Sequence, residues 1–204
     1  MIDKLKKITS KQIISLTSVF LVVLFVASGL LNWSRESVAR KNGTLKSETI
    51  SVNDFEIIGM IPVEDRLKST DYDPQLVMDG NTKITSVRFY MESSMFPGEM
   101  TLYYTQGKDA GFSERKRVWA TPVQGNSNWY IIDMPMKEVT SFRIDPTMYP
   151  GNEMKFGDFI INEETDFLSY FEISYGTIFN FIVYTGLISS VFKYLVELIN
   201  RKFD

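Results

Sequence analysis

Residues 141–164 read SFRIDPTMYPGNEMKFGDFIINEE, and a stretch of this kind is typical of the closing part of a β-sandwich. Two pieces with strand character, SFRID and MKFGDFIIN, flank a centre that contains Pro146, Pro150 and Gly151. Proline and glycine at this density indicate a turn, because they supply backbone angles that a strand does not use. The stretch therefore predicts a strand, a long turn and a final strand that close a β-domain.

The same alternating pattern extends upstream through residues 48–164. In SVRFYME, Val87, Phe89 and Met91 alternate with more polar neighbours, which is the period of a half-buried strand. Turn signals separate such runs: Asp79-Gly80-Asn81, Pro97-Gly98, Gly107-Lys108-Asp109, Gly125-Asn126 and Pro150-Gly151. The spacing predicts about seven to nine short strands and no helix longer than a turn or two, hence a mainly β fold of the sandwich or jelly-roll type.

Two uncharged runs of twenty residues flank this β region. The first is QIISLTSVFLVVLFVASGLL at 12–31, and the second is ISYGTIFNFIVYTGLISSVF at 173–192. Twenty helical residues extend about 30 Å, which matches the hydrocarbon core of a bilayer. We predict two transmembrane α-helices. A cleaved signal peptide is the alternative for the first run, since Val26-Ala27-Ser28 offers small residues, and a soluble core helix is the alternative for the second.

Charge is unevenly distributed, with an acidic middle between basic ends. Residues 48–172 carry 21 acidic and 11 basic side chains, whereas residues 1–47 carry 8 basic and 2 acidic ones. An acidic middle argues against a nucleic-acid partner, and basic ends favour contact with anionic lipid. Acidic residues precede the second span and Lys193 follows it, which predicts a cytoplasmic C-terminus. Two spans then place both termini in the cytoplasm and the middle outside.

The predicted domain boundaries follow from these patterns. They are a cytoplasmic basic N-terminus at 1–11, a transmembrane helix at 12–33, a linker or continued helix end at 34–47, an extracytoplasmic β-sandwich at 48–166, a second transmembrane helix at 171–193 and a cytoplasmic tail at 194–204.

The sequence contains no cysteine and no histidine. This excludes a thiolate nucleophile, a Cys-ligated metal and Ser-His-Asp chemistry. Paired carboxylates such as Asp133 with Asp145 are the alternative that would support a small glycan-active enzyme. We predict no catalytic residue and no cofactor, with Asp71 and Asp73 leaving a structural calcium open.

An ordered series of short motifs runs through the β region. It consists of DYDPQLVM (71–78), SVRFYM, TLYYTQGKDAGFSE (101–114), SFRIDPTMYPG (141–151) and FGDFIIN. The series resembles the galactose-binding-like β-sandwich ectodomains of bacterial membrane proteins of cell-surface polysaccharide assembly. The larger members of that group carry many spans or a glycosyltransferase unit, which this chain lacks. The resemblance therefore implies an accessory role without catalysis.

Aromatic and paired polar residues are the candidates for carbohydrate binding, because a pyranose stacks its flat apolar face on an aromatic ring. The candidates are Trp119, Trp129, Tyr130, Arg143 and Asp145. Arg143 and Asp145 lie at i and i+2, so they share one face of a strand. They either present polar groups to a sugar or serve the fold, with Arg143 bridging strands and Asp145 accepting turn amides.

A polar residue within hydrocarbon indicates a helix–helix contact. Asn180 lies near the centre of the second span, and with Gly176 and Ser190 it forms the candidate contact, whether with the first span, another copy or a larger membrane protein. The sequence favours a non-catalytic accessory protein of cell-surface polysaccharide synthesis or modification, with a sandwich that contacts glycan or a glycosyltransferase. A protein–protein platform that docks a membrane enzyme or transporter is the alternative.

Overall fold

The computed structural model describes residues 9–107 and 111–202, which form two units. The β unit is Glu36–Glu164, and the helical unit comprises the residues before and after it. Lys4, Lys6 and Lys7 of the basic N-terminus lie outside the described residues, as do Lys108 and Asp109 of the predicted turn.

The regular structure of the described residues consists of two α-helices, ten strands and three short 3₁₀ helices. The helices are α1, Ser10–Lys41, and α2, Tyr175–Lys202. The strands are β1 Glu48–Ile50, β2 Glu56–Ile58, β3 Met60–Val63, β4 Arg66–Ser69, β5 Gln75–Ser93, β6 Thr101–Thr105, β7 Arg117–Trp119, β8 Thr121–Val123, β9 Asn126–Asp145 and β10 Glu153–Ile161.

The strands form one antiparallel sheet that folds over on itself. Its main order is β3-β4-β10-β5-β9-β6-β7, while β1 pairs with β10, β2 with β5, and β8 with β9. The long strands β5 and β9 pair along their length, with register shifts at Asp79/Thr82 and Ile84/Ser86. Such bulges bend a strand. One end of the β5–β9 pair therefore joins β6 in one layer, and the other end joins β10 in the second layer. The predicted mainly β sandwich is confirmed.

The inward faces of the two layers share one apolar core. Phe89 and Phe159 stack with ring centroids 5.1 Å apart, and both are fully buried. Val87 and Met91 are buried beside Phe89, so the alternation predicted for SVRFYME is the observed one. Losing a buried Phe side chain typically costs about 3–5 kcal/mol of stability, and these aromatic residues therefore hold the layers together.

The strand boundaries differ from the prediction in several places. Asp79-Gly80-Asn81 was expected to be a turn but lies inside β5, where the strand bends between layers. The predicted strand SFRID is the last part of β9, which also contains NWYIID, and RVWATPV divides into β7 and β8. Strands β3 and β4 were not predicted. The pairing of β5 with β9 resumes at Thr82 after the bulge that follows Asp79, so the chain bends at these polar residues without leaving the sheet.

Both helices extend beyond their predicted ends. α1 continues to Lys41, so the first part of the predicted linker is helical, and α2 continues to Lys202. Gly43, two residues after the end of α1, has φ +68° and donates its N–H to the carbonyl of Arg40. Both helices are long and apolar enough to cross a membrane. Only 17% and 11% of the residues in their most apolar 18-residue stretches are buried. A core helix of a soluble protein would be mostly buried.

The helical unit is held together by aromatic contacts with α1. The ring of Phe171, in the 3₁₀ turn Phe167–Phe171, lies so close to Gly29 that a Cβ there would come 2.6 Å from it. Trp33 contacts Phe167 edge-on at 5.2 Å between ring centroids. The buried polar positions of the unit are Thr17 and Ser189.

The predicted helix–helix residues lie elsewhere in this unit. Gly176 and Asn180 are exposed, and the hydroxyl of Ser190 donates to the carbonyl of Gly186 in its own helix at 2.8 Å. Their contact with another copy or with another protein stays a prediction.

Candidate functional site

A row of aromatic and charged side chains crosses the outer face of the layer that contains β6 and β7. We call it the Trp119 face; it consists of Asp73, Tyr103, Arg117, Trp119, Arg143 and Asp145. Strand register places Trp119 and Asp145 opposite Thr101, and Arg117 and Arg143 opposite Tyr103. Successive strand residues point to opposite sides, so these side chains face away from the fully buried Leu102 and Ile144.

Arg143 is held on several sides by this face. Its Nε and Nη2 donate to the two carboxylate oxygens of Asp145 at 2.7 and 2.6 Å, and Nη2 also donates to Asp73 at 3.1 Å. The guanidinium lies 4.7 Å from the ring centroid of Tyr103 and 5.7 Å from that of Phe112. The side chains of Arg143 and Asp145 are only 17% and 14% exposed. The positive charge is therefore neutralised within the protein.

The ionisation of this pair reflects its burial. Burial raises the pKa of Asp145 above its ordinary value of 3.8, although the hydrogen bonds and charge of Arg143 act to lower it. Burial acts to lower the pKa of Arg143, but the hydrogen bonds and charge of Asp145 outweigh it, so the Arg143 pKa is raised. Asp145 accepts hydrogen bonds from Arg143 rather than the expected turn amides. The geometry agrees with a bracing role for Arg143, which ties β9 to Asp73 in the loop before β5.

Trp119 is the exposed aromatic residue of this face. Half of it is exposed, the guanidinium of Arg117 lies 4.6 Å from its ring centroid, and its Nε1 donates to Glu99 at 3.4 Å. Arg117 pairs with Glu114 at 2.6 Å, and the hydroxyl of Tyr103 donates to the same carboxylate at 3.0 Å. The ring is thus oriented by its neighbours while half of its surface stays open.

Trp129 and Tyr130 lie in the other layer. The ring of Trp129 is covered by the guanidinium of Arg88 at 4.8 Å and by Tyr90 at 5.6 Å between centroids, and it is half-buried. Tyr130 faces inward and stacks on Phe89 at 5.6 Å, and burial raises the pKa of Tyr130. The structure therefore brings Trp119, Arg143 and Asp145 together and places the other two candidates away from them.

The alternative carboxylate pair does not form. Asp133 and Asp145 belong to β9, but Asp133 pairs with Ser86 in one layer and Asp145 with Thr101 in the other. Both point outward, since Ile132 and Ile144 beside them are fully buried. The apolar core separates them, whereas paired glycosidase carboxyls lie about 5–10 Å apart. The register of β9 therefore does not support the alternative of an Asp133–Asp145 pair.

The carboxylates considered for calcium have protein donors. Asp73 accepts hydrogen bonds from Arg143 and from Gln75, and Asp71 accepts from the backbone N–H of Asp73. Within residues 9–107 and 111–202, no group of three or more carboxylates is arranged for a metal ion.

Sequence reasoning missed three members of the Trp119 face. Arg117 lies two residues before Trp119 in the same strand, so their side chains share one face. The same spacing gave the shared face of Arg143 and Asp145. Tyr103 is one of several aromatic residues that could stack on a sugar, but the sequence does not single it out as a site residue or pair it with Arg143. Asp73 reaches Arg143 across 70 residues of chain, and no local signal indicates such a contact.

No protein-family model matches this sequence, and no curated protein matches it. Solved structures of carbohydrate-binding modules do match. A single-residue variant of CBM29-2, from family 29, is 11% identical over 59% of this chain and 98% of its own, with a TM-score of 0.40. Another variant of CBM29-2, complexed with cellulohexaose, is 10% identical over 57% and 91%, with a TM-score of 0.37.

CsCBM6-3 from Clostridium stercorarium, solved in complex with cellobiose, is 7% identical over 59% of this chain and 95% of its own, with a TM-score of 0.29. The β-sandwich expected from the motif resemblance is the observed fold, and these similar structures are carbohydrate-binding modules.

Proposed function

We propose that this protein is a non-catalytic, membrane-anchored carbohydrate-binding protein. The observation that supports it is the Trp119 face, where a half-exposed indole is oriented on a rigid sheet next to fixed hydrogen-bonding groups. A sugar ring needs this combination, because its apolar face stacks on an aromatic ring while its hydroxyls need polar partners. The sheet supplies the precise positioning that a loop would not.

The charges of the face favour a neutral glycan. Arg143 is already neutralised by Asp145 and Asp73, and Arg117 by Glu114. The carboxylates then act mainly as acceptors, which match the hydroxyl donors of a neutral sugar. An anionic glycan would meet like charges without a free cation on this face to compensate.

The two apolar helices would anchor the sandwich to the membrane. In this arrangement both helices span the bilayer, both termini lie in the cytoplasm, and residues 48–166 lie outside. Tethering raises the local concentration of a binding domain, so weak affinity for single sugars suffices. Together with the motif resemblance, this supports an accessory role in cell-surface polysaccharide synthesis or modification.

The test is glycan binding by the full-length protein in detergent, with cello- and manno-oligosaccharides as neutral probes and polygalacturonate as an anionic one. We expect binding of a neutral probe, and Trp119→Ala should weaken it by about tenfold or more, the effect of losing roughly 1.4 kcal/mol. Trp129→Ala is the matched control, because this second tryptophan is half-buried, contacts both Arg88 and Tyr90, and lies in the other layer. Unchanged binding in Trp119→Ala would contradict the proposal.

An exposed apolar patch favours a protein-docking platform as the second candidate. Phe96 is 78% exposed, and Met95, Met148 and Tyr149 are exposed beside it. The two loops that carry them are joined, since the N–H of Met148 donates to the carbonyl of Pro97. Exposed apolar clusters of this kind often form protein contacts.

A mild-detergent pull-down from native membranes tests both the protein-docking platform and the glycan-linked accessory role. Recovery of a glycosyltransferase or polysaccharide flippase that depends on Phe96, tested with Phe96→Ser, would support the platform. Recovery that instead depends on Trp119 or on added glycan would support the glycan-linked accessory role.

A further inference from the structure

A cavity, separate from the Trp119 face, opens where β5 bends between the layers. Its volume is about 590 Å³, and its floor is apolar, formed by Met78, Phe142 and Ile161. Its rim is charged, with Lys46, Glu48, Asp79, Lys83 and Glu138. The register shift between Asp79 and Thr82 lies at this rim. Bulges are frequent at the rims of barrels and next to binding sites, and cavities of this volume hold small ligands.

The rim is held in place by one buried side chain. The amide nitrogen of Asn162 donates to the carbonyls of Lys46 at 2.9 Å and Lys83 at 2.8 Å. Its amide oxygen accepts from the N–H of Thr85 at 2.8 Å, and the residue is fully buried. Two segments of the rim, 37 positions apart in the chain, are thereby fixed relative to each other. The cavity is therefore preformed rather than assembled by a ligand.

The charges of the rim are only partly balanced. The ammonium of Lys83 lies 3.8 Å from Glu138 and 3.5 Å from the hydroxyl of Thr44. Among the residues that the structure describes, the carboxylates of Glu48 and Asp79 make no hydrogen bond or ion pair, and neither does the ammonium of Lys46. Two carboxylates and one ammonium thus point to a ligand with net positive charge and additional polar groups.

We infer that this cavity binds an amino sugar of one or two rings, a hydroxyl-rich ligand with a free ammonium. The apolar floor would receive the ring face, Asp79 and Glu48 the ammonium, and Lys46 a hydroxyl or ring oxygen. The inference rests on the proposed glycan-binding function only for the saccharide nature of the ligand. The cavity and its charges are independent of Trp119.

The test compares a glucosamine disaccharide with free amines and its N-acetylated counterpart, which has the same rings without the charge. Titration calorimetry on the full-length protein should show the free-amine form binding about tenfold more tightly or better, as expected for one charge-assisted hydrogen bond. Asp79→Asn and Glu48→Gln should each reduce that preference. High salt should reduce it as well, because the rim is solvent-exposed.

Gly80→Phe provides a steric test of the same cavity. A Cβ at Gly80 meets nothing within 4 Å and its φ lies outside the left-handed region, so a ring can occupy the mouth without straining the backbone. This variant should lose binding of the free-amine disaccharide at an unchanged unfolding temperature. Trp119→Ala should retain that binding.

Three outcomes would overturn the inference: equal affinity for the two disaccharides, full binding by Asp79→Asn and Gly80→Phe, or no binding of the free-amine form. The proposed function fails separately, on unchanged binding of the neutral probes in Trp119→Ala.

Discussion

Two buried asparagines stabilise the places where the chain enters and leaves β10. The amide of Asn152 accepts from the hydroxyls of Ser93 and Ser94 and donates to Thr147. Asn162, at the other end, has φ 55°, and its side-chain amide forms hydrogen bonds with three backbone groups. An amide suits both positions because it donates and accepts at once. At the residue scale, these two side chains satisfy backbone and hydroxyl groups that the sheet leaves unpaired.

Asn162→Ala should lower the free energy of unfolding by about 3 kcal/mol, because it leaves a buried N–H and two carbonyls without partners. Asn162→Gly also lacks the amide but tolerates the positive φ, so its loss should be about 1 kcal/mol smaller. Denaturant unfolding of the full-length protein measures both. Equal losses would show that backbone conformation contributes nothing at this position.

A carboxylate on the outer surface gives a pH prediction. The hydroxyl of Tyr90 donates to Glu92 at 2.7 Å and, with the nearby charges of Arg66 and Lys155, lowers the pKa of Glu92 below its ordinary 4.5. Folding therefore favours the ionised form, and its stabilisation is present above pH 4.5 and lost as pH falls through the folded-state pKa.

Glu92→Gln should accordingly show a smaller loss of stability than the wild type when the pH is lowered from about 6 to about 3. Thermal unfolding at several pH values measures this. Identical pH profiles in the two proteins would show that Glu92 does not take part.

At the element scale, the long pair β5–β9 shapes the molecule. Each strand passes from one layer to the other, and the bulges in β5 at Asp79/Thr82 and Ile84/Ser86 let the pairing continue through the bend. The same bend opens the mouth of the charged cavity beside Asp79. One irregularity in a strand therefore both closes the sandwich and creates a binding space.

The helical unit has a matched pair of glycines. A Cβ at Gly29 in α1 would come 2.6 Å from the ring of Phe171 and 2.9 Å from the carbonyl oxygen of Tyr170, whereas one at Gly186 in α2 meets nothing within 4 Å. Alanine favours a helix over glycine by about 1 kcal/mol. Gly186→Ala should thus be neutral or stabilising, and Gly29→Ala should lower the unfolding temperature in detergent. A stabilising Gly29→Ala would contradict the packing of Phe171 on α1.

At the scale of the whole molecule, the absence of native cysteine makes the predicted topology testable without background labelling. A cysteine at Ser127, which is exposed in the β unit, should react with a membrane-impermeant thiol reagent on intact cells. A cysteine at Asp3, ahead of the first span, should react only after the membrane is permeabilised. Labelling of both positions, or of neither, on intact cells would contradict two spans with cytoplasmic termini.

Features that depend on local periodicity were accessible from the sequence. The two apolar helices follow from uninterrupted runs of uncharged residues, and the core positions Val87, Phe89 and Met91 follow from the two-residue period of a strand. The shared face of Arg143 and Asp145 follows from the same period, because side-chain direction within one strand depends only on spacing.

The remaining features depend on which strands become neighbours, and only the tertiary structure decided them. Strand register brings Arg117 and Arg143 to the two sides of Tyr103, and the β4–β5 loop brings Asp73 to Arg143. Asn162 joins Lys46 to Lys83 in the same non-local way. Asp79 pairs with Ser141 and Thr82 with Val139 on the two sides of the bulge, so β5 continues where the sequence indicated a turn. A turn prediction uses only neighbouring residues. The course of β5 is instead set by hydrogen bonds to β9, whose residues are far away in the chain.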